Sequence, residues 1–282
     1  MDRENVYRQC AGRPTPDGLA HAARMAGSTG SLMTATPVLS SAFRGLAFAM
    51  LFAVAGCATK PAQPTPEQRA QAAIASPIRT DQDRRMDSSR NPAAFLPFTG
   101  VAPGMVVLDV SAGAGYTSQL LALSVGPDGK LLAQRPAPGD ALTKRLADHP
   151  QPNFIPVYRP FEDPIPPDAP KLDLVTLVNN YHDIVYQPID RAKMNQRIYA
   201  ALKPGGRFVI VDHSAQAGTG ISVARTLHRI DRDVVVAEVT QAGFVLEAEG
   251  RFLRNPADTR DVSSGDGRIN TDKFVLRFVK PA

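Results

Sequence analysis

Cysteine and tryptophan are scarce in this sequence. Its 282 residues include two cysteines, Cys10 and Cys57, and no tryptophan. Both cysteines precede the part of the chain with regular apolar patterns, so a core stabilised by disulfides is excluded. Hydrophobic residues make up 43% of the chain and charged residues 21%. This balance predicts one soluble globular domain with enough apolar material for a core.

Positive charge is present but is not concentrated. The formal net charge is +5, and no run of lysine and arginine with interleaved aromatic residues occurs. Proteins that bind nucleic acids usually carry such a basic stripe or patch. We therefore expect no nucleic-acid partner.

The apolar run near the N-terminus is too short to cross a membrane as a helix. Arg44 precedes an uncharged run from Gly45 to Gly56, whereas a membrane-spanning helix needs about 20 apolar residues. The run fits the core of a signal peptide. It ends in Val54-Ala-Gly-Cys57, which resembles the lipobox of bacterial lipoproteins. We predict a signal peptide with lipobox over residues 1–57, starting from an over-long N-terminus, and lipidation at Cys57.

A lipidated Cys57 would place the following domain in the cell envelope. The alternative to a signal peptide is that the apolar run forms a short buried helix that ends in Cys57. Lipid chains on Cys57 would anchor the protein to the membrane, facing the periplasm, and Ala58 favours the outer membrane by analogy with enterobacterial sorting. Residues 58–77 contain several prolines and resemble a stiffened tether. The folded domain is then predicted over residues 78–282.

From residue 105 onward, short apolar runs alternate with longer segments of helical spacing. This alternation predicts a parallel sheet with helices on both faces, and the short link between the last two strands makes that pair antiparallel. We predict strands at 105–110, 130–134, 153–158, 172–178, 206–212, 243–253 and 272–279, and helices near 116–125, 139–148, 188–202 and 222–242. Residues 255–271 are expected to form a mobile loop.

A glycine-containing turn follows the first predicted strand. Asp109 ends the strand, Gly113 and Gly115 lie in the turn, and a helix starts near Tyr116. Glycine allows close approach of a ligand to the backbone, and ligands bind at the carboxyl edge of open α/β sheets. A plain tight turn would show the same spacing. Binding of NADP is a competing interpretation, but Ser118 occupies the position of the third glycine in that motif.

Further segments of the chain resemble a family of exported bacterial predicted methyltransferases of class I. The resemblance includes Leu108-Asp-Val-Ser-Ala-Gly-Ala-Gly-Tyr-Thr117 and Leu202-Lys-Pro-Gly-Gly206. Its other segments are residues 87–92, 98–105, 125–130, 181–183, 211–214 and 226–231. It covers about residues 78–282.

The resemblance implies a Rossmann-like, seven-stranded, mostly parallel sheet of order 3-2-1-4-5-7-6 and an S-adenosylmethionine pocket. Two residues depart from the family pattern. Ser111 replaces the first glycine of the motif, and Gln134 replaces the acid that usually binds the ribose hydroxyls, which would weaken that contact. The implied cofactor-binding residues are Asp109, Ser111, Gly113, Gly115, Tyr116, Gln134 and Asn179.

The segment after the fourth predicted strand supplies the candidate catalytic residues, His182 and Tyr181. A histidine with an ordinary pKa near 6.5 suits a general base, although His182 could instead cap a helix or bind backbone. Asp212, His213 and Ser214 follow the fifth predicted strand and include the residue types of a hydrolytic triad. The sequence has no Gly-x-Ser-x-Gly nucleophile elbow, so a hydrolase is not favoured.

Metal binding is not predicted. His182, His213 and His228 could in principle meet with Asp183 or Asp212, but their spacing matches no zinc motif.

The sequence thus favours an exported, lipid-anchored S-adenosylmethionine-dependent methyltransferase. Its acceptor would be a small molecule or an envelope component. A non-catalytic envelope binding module on the same fold is the alternative, because the methyl donor is made in the cytoplasm. The sequence does not indicate an oligomeric state.

Overall fold

A computed structural model describes the chain over residues 63–266 and 270–282. One seven-stranded sheet has the order β3-β2-β1-β4-β5-β7-β6. Its strands are β1 (Val106–Val110), β2 (Lys130–Arg135), β3 (Phe154–Tyr158), β4 (Leu172–Val178), β5 (Leu202–His213), β6 (Val245–Gly250) and β7 (Lys273–Val279). Strand β7 pairs antiparallel with both β5 and β6, and the other pairs are parallel. The predicted Rossmann-like fold and strand order are confirmed.

Helices surround the sheet within the described residues. They are α1 (Pro66–Ile74), α2 (Asp81–Arg90), α3 (Pro92–Thr99), α4 (Tyr116–Val125), α5 (Asp140–Asp148), α6 (Tyr181–Ile184), α7 (Arg191–Ala201), α8 (Ala224–Leu227) and α9 (Arg232–Gln241). The predictions for α4, α5 and α7 are confirmed. The helix predicted over 222–242 is wrong in its continuity, because His228 adopts a left-handed conformation with φ of 51° and separates α8 from α9.

The central strands are buried on both faces, as their continuous apolar runs predict. Val107 and Leu131 pack in the core layer on one face of the sheet. Leu108 and Leu132, the next residues along β1 and β2, pack in the layer on the other face. Successive side chains of a strand point to opposite faces, so each strand contributes to both layers and the sheet is held rigidly between them.

The prediction of a tether over residues 58–77 is wrong for residues 66–74, which form α1. Thr65 caps this helix, and Ala70 and Ala73 are buried against the sheet-covering layer that includes α3 and α4. Small side chains allow this close packing without any strong apolar run in the sequence. The folded part of the chain therefore begins before residue 78.

Two predictions concern residues that are not described. The signal peptide over 1–57 and its Cys57 lie outside the described ranges. Among the residues that the structure does describe, no helix is both long enough and apolar enough to span a bilayer. Most of the predicted loop over 255–271 is irregular, with one 3-10 turn at Ser264–Asp266.

Candidate functional site

Asp109 anchors the turn that follows β1. Its two carboxylate oxygens accept hydrogen bonds from the hydroxyls of Ser118 on α4, at 2.6 Å, and Thr176 on β4, at 2.7 Å. Burial raises the pKa of Asp109 to about 6 because the hydroxyl partners only partly replace water. Asp109 therefore holds the turn against its neighbours and offers a ligand little free acceptor capacity.

The turn itself has a left-handed backbone at three predicted cofactor residues. The φ angles are 60° at Ser111, 57° at Gly113 and 87° at Gly115. A Cβ on Gly113 would have only the Ser111 carbonyl oxygen nearby, at 3.9 Å, so this glycine faces open space. A Cβ on Gly115 would come within 3.0 Å of Leu142 and Arg145 on α5. Gly113 thus leaves room for a ligand, whereas Gly115 leaves room for α5.

Gln134 does not line the space where a cofactor would lie. Its side-chain oxygen accepts the Ser111 N–H at 3.0 Å, and its amide nitrogen donates to the carbonyl oxygen of Arg159 at 2.6 Å. The residue is fully buried. The predicted hydrogen bond to ribose is therefore not supported, because both ends of the amide already stabilise the backbone of the turn.

A cleft of about 260 Å³ opens at the carboxyl ends of β1 and β4. The turn from Ser111 to Ala114 lines one side, and Tyr116, Asn179 and Asn180 line others. Helix α2 supplies a further wall through Gln82, Asp83, Met86 and Arg90. The cleft thus brings together four predicted cofactor residues besides Asp109, namely Ser111, Gly113, Tyr116 and Asn179.

Ion pairs fasten α2 beside this cleft. Asp83 accepts two hydrogen bonds from Arg145 of α5, at 2.7 and 2.8 Å, and Asp87 accepts one from the Tyr116 hydroxyl at 2.7 Å. Burial acts to raise the pKa of Asp83, but the hydrogen bonds from Arg145 and Thr80, together with the Arg145 charge, outweigh it and lower the pKa. The sequence predicted no helix over residues 86–99, which are mostly helical. The Thr80 to Asp83 capping box could have predicted α2.

Two amide oxygens and one cation in the cleft have no partner within the described residues. The side-chain oxygens of Asn179 and Asn180 are buried without a hydrogen bond. Arg90 forms no ion pair or hydrogen bond in the described part of the chain, and its guanidinium lies 5.9 Å from the centre of the Tyr116 ring. Buried polar atoms normally have partners. These groups therefore indicate a ligand that offers hydrogen-bond donors and a negative charge.

Tyr181 is buried away from the cleft. Its hydroxyl donates to Glu238 of α9 at 2.7 Å and accepts from Asn195 of α7 at 3.1 Å. Burial, together with the Glu238 carboxylate, raises the pKa of Tyr181. This geometry gives no support to the predicted catalytic role for Tyr181, because the hydroxyl connects two helices in the core.

His182 lies between two carboxylates. Its Nδ1 is 2.6 Å from Asp212 Oδ1, and its Nε2 is 3.3 Å from Asp183 Oδ1. Burial alone would lower the pKa of His182, but Asp212 and Asp183 outweigh it and raise the pKa to about 10. The ring therefore already carries a proton at neutral pH, and the predicted general-base role is not supported.

The structure brings together the histidines whose meeting the sequence left open. The rings of His213 and His228 lie 5.6 and 5.7 Å from that of His182. His228 Nδ1 is 3.0 Å from Asp183 Oδ1. Potential ligand atoms of His182, Asp183 and His228 all lie within 4.8 Å of one another. The sequence did not predict a metal site, but the structure groups three side chains that could bind a metal ion. Their spacing in the sequence does not reveal this cluster.

Solved structures with the same fold are S-adenosylmethionine-dependent methyltransferases. One from Aquifex aeolicus matches with a TM-score of 0.51 and 17% identity over 77% of this chain and 100% of that chain. One from Mesorhizobium loti has a TM-score of 0.52 and 13% identity, covering 69% and 99%. An arsenic(III) methyltransferase from Chlamydomonas reinhardtii has a TM-score of 0.51 and 17% identity, covering 78% and 75%.

These similarities define a class by its fold. The chain has the fold of class I S-adenosylmethionine-dependent methyltransferases. No protein-family model and no curated protein sequence matches the chain. Membership of the exported bacterial family consequently stays a prediction from the sequence.

Proposed function

We propose that this protein is an S-adenosylmethionine-dependent methyltransferase that binds its methyl donor in the cleft beside β1 and β4. The observation that carries the proposal is the pair of unpartnered, buried amide oxygens of Asn179 and Asn180 next to the open turn at Gly113. This is the sheet edge where open α/β folds bind ligands. The fold shared with known methyltransferases supports the same cofactor.

The residues in the cleft fit the groups of S-adenosylmethionine. The guanidinium of Arg90 suits the donor's carboxylate, because arginine binds carboxylates through charge-assisted hydrogen bonds. The amide oxygens of Asn179 and Asn180 suit its ammonium or hydroxyl groups. Gly113 keeps the adjacent space free of a side chain. The cofactor, when bound, supplies a methyl group on a positively charged sulfur, and the chain positions it for an acceptor.

Calorimetry with matched glycine variants tests the cofactor. We expect the full chain to bind S-adenosylmethionine and S-adenosylhomocysteine with micromolar affinity and NADP much more weakly. Gly113→Ala should weaken binding of the first two at least tenfold, because the new Cβ points into open cleft space. Gly126→Ala is the control, since Gly126 has a similar φ of 66° and a Cβ there also meets nothing within 4 Å. No binding by the folded chain, or equal effects of both variants, would overturn the assignment.

A pair of arginine variants tests how the donor is held. Arg90→Ala should weaken S-adenosylmethionine binding about tenfold or more, the loss of one charge-assisted contact. Arg85, on the same helix, is exposed, and its side chain bonds only to Gln82 among the described residues. Arg85→Ala should leave the affinity for S-adenosylmethionine unchanged. A similar loss of affinity in both variants would mean that net charge, and not a contact of Arg90, causes the effect.

The acceptor is proposed to be a small molecule or an envelope component. A non-catalytic binding module is the second candidate, favoured by Gln134, whose amide is occupied by backbone and cannot hold the ribose. An acceptor screen that follows formation of S-adenosylhomocysteine separates the two. Turnover above the rate of the Gly113→Ala variant supports the enzyme, and tight cofactor binding without turnover on any acceptor supports the module.

Export and lipid anchoring through Cys57 are also proposals. Their support is the order of Arg44, the apolar run and the Val54-Ala-Gly-Cys57 segment. In a bacterial host, the wild-type chain should incorporate labelled fatty acid and fractionate with membranes. Cys57→Ser should abolish both, and Cys10→Ser should change neither. Labelling that persists in Cys57→Ser would contradict the lipobox.

A further inference from the structure

Two histidine side chains converge on one carboxylate oxygen of Asp183, near the ends of β4 and β5. His182 and Asp183 lie on α6, and His228 ends α8. Asp183 Oδ1 is 3.3 Å from His182 Nε2 and 3.0 Å from His228 Nδ1. It also accepts a hydrogen bond from the Tyr186 hydroxyl at 2.9 Å. The cluster is distinct from the residues that line the cofactor cleft.

These separations match those between ligands of a tetrahedral metal ion. Nitrogen and oxygen ligands about 2.0 to 2.1 Å from zinc are about 3.4 Å apart along a tetrahedral edge. Both Asp183 distances fall close to this value. The two ring nitrogens lie within 4.8 Å of each other, so they need to approach by at most about 1.4 Å to complete the set. The His228 side chain is 39% exposed and has room to do so.

A buried carboxylate fixes the orientation of the His182 ring. Asp212 is fully buried and holds Nδ1 at 2.6 Å, while its other oxygen accepts the His182 backbone N–H at 2.9 Å. The ring therefore presents Nε2 toward Asp183. Histidines that bind metals almost always donate their other ring nitrogen to a carboxylate, carbonyl or water in this way.

We propose that His182 Nε2, the Asp183 carboxylate and His228 Nδ1 bind a divalent metal ion such as Zn²⁺, which displaces the Nε2 proton of His182 into solvent. Two imidazoles and one carboxylate suit zinc and its neighbours better than magnesium or calcium, which prefer oxygen ligands alone. Three protein ligands leave a coordination position open, as in catalytic rather than structural zinc sites. Asn180 lines the cleft and its amide donates to Asp183 Oδ2 at 3.3 Å, so the metal site adjoins the cleft.

Metal titration of the full chain tests the site. Cys10 and Cys57 are replaced by serine in every sample so that no thiol competes for the ion. After treatment with a chelator, calorimetry with Zn²⁺ alone should show one equivalent bound with micromolar or tighter affinity. Co²⁺ should give a visible absorption spectrum of four- or five-coordinate geometry. Absence of saturable binding would overturn the proposal and leave an ion-pair network only.

Matched histidine variants locate the ion. His228→Ala should weaken Zn²⁺ binding at least a hundredfold. The His228 side chain is partly exposed, and circular dichroism checks that the variant keeps its fold. His149→Ala, the same change at the end of α5, should leave the affinity unchanged. Asp212→Asn should weaken binding about tenfold to a hundredfold through the orientation of His182. Equal Zn²⁺ affinity in the parent and His228→Ala would refute the site.

The outcome is separable from that of the cofactor proposal. Calorimetry with S-adenosylmethionine on His228→Ala should give the parent affinity, because His228 does not line the cleft. Gly113→Ala should retain the parent affinity for Zn²⁺. Failure of either proposal therefore leaves the other unaffected.

Discussion

Two buried aspartates end strands on either side of β4, and their partners differ. Asp109, at the end of β1, is bonded to two neutral hydroxyls. Asp212, at the end of β5, is bonded to the imidazole of His182 and to the backbone N–H groups of His182 and His213. Hydroxyls replace water incompletely, so the pKa of Asp109 rises to about 6. Asp212 instead helps to raise the pKa of His182 to about 10.

The difference shows that a carboxylate at the same sheet edge can have opposite electrostatic roles. Burying Asp109 lowers the stability of the fold more when the carboxyl is ionised than when it is protonated, because no cation is bonded to it. Asp212 is the counter-ion of a buried histidine, so the pair depends on both members. Substitutions at the two positions should therefore respond differently to pH and to loss of charge.

The largest effect is expected for Asp212→Asn. Removing this charge leaves the buried His182 without its closest counter-ion, which costs about 3 to 5 kcal/mol in unfolding free energy. Urea denaturation at pH 7 measures the loss. Asp128→Asn, at an exposed position, is the matched control and should change stability by less than about 0.5 kcal/mol. A loss below 1 kcal/mol in Asp212→Asn would show that the pair is not coupled as described.

Asp109→Asn should change the pH dependence of stability. The pKa of Asp109 is raised in the folded state, so its favourable contribution is complete below the unfolded value of 3.8 and is lost as pH rises through about 6. A shift of about 2 units corresponds to about 3 kcal/mol. Relative to wild type, the variant should therefore gain about 2 kcal/mol between pH 4 and pH 7, where most of this change occurs. Parallel stability curves would contradict the raised pKa.

Thr176→Val removes one hydroxyl donor from Asp109 with little change of shape. At pH 7 the loss of a hydrogen bond to a charged group should cost about 2 kcal/mol. At pH 4 the carboxyl is protonated and the cost should fall to about 1 kcal/mol. Denaturation at both pH values checks the difference, and an equal cost at both would mean that Asp109 does not ionise in this range.

The smallest effect is expected for Tyr181→Phe, beside His182 in sequence. Loss of its hydroxyl from Glu238 and Asn195 should lower stability by about 1 kcal/mol. Affinity for S-adenosylmethionine should stay unchanged, because Tyr181 does not line the cleft. A tenfold loss of affinity with unchanged stability would restore Tyr181 to the site.

The sequence predicted the sheet well because its strands are marked by continuous apolar runs. Strands such as Leu172–Val178 match the prediction residue for residue. Helices α1 and α2 were missed because they bury few side chains: Asp83 is the single fully buried residue of α2. Their capping residues, Thr65 and Thr80, were the available indication of a helix start.

The cleft was predictable in location but only partly in the residues that line it. Gly113, Ser111, Tyr116 and Asn179 line the cleft as expected. Gln134 and Tyr181 do not, because their side chains bond to groups distant in sequence, Arg159 and Glu238. The histidine cluster could not be predicted either, since His182 and His228 meet only through the left-handed turn that ends α8.

If Cys57 is lipidated, the early start of α1 limits how far the domain can extend from a membrane. Seven residues, 58–64, lie between Cys57 and Thr65, the cap of α1. Whatever their conformation, the eight Cα–Cα steps from Cys57 to Thr65 reach no farther than about 28 Å, whereas the predicted twenty-residue tether could have reached about 70 Å. If Cys57 carries the lipid, the folded domain begins within about 28 Å of the bilayer surface. Any acceptor of the proposed methyl transfer must then come to that surface.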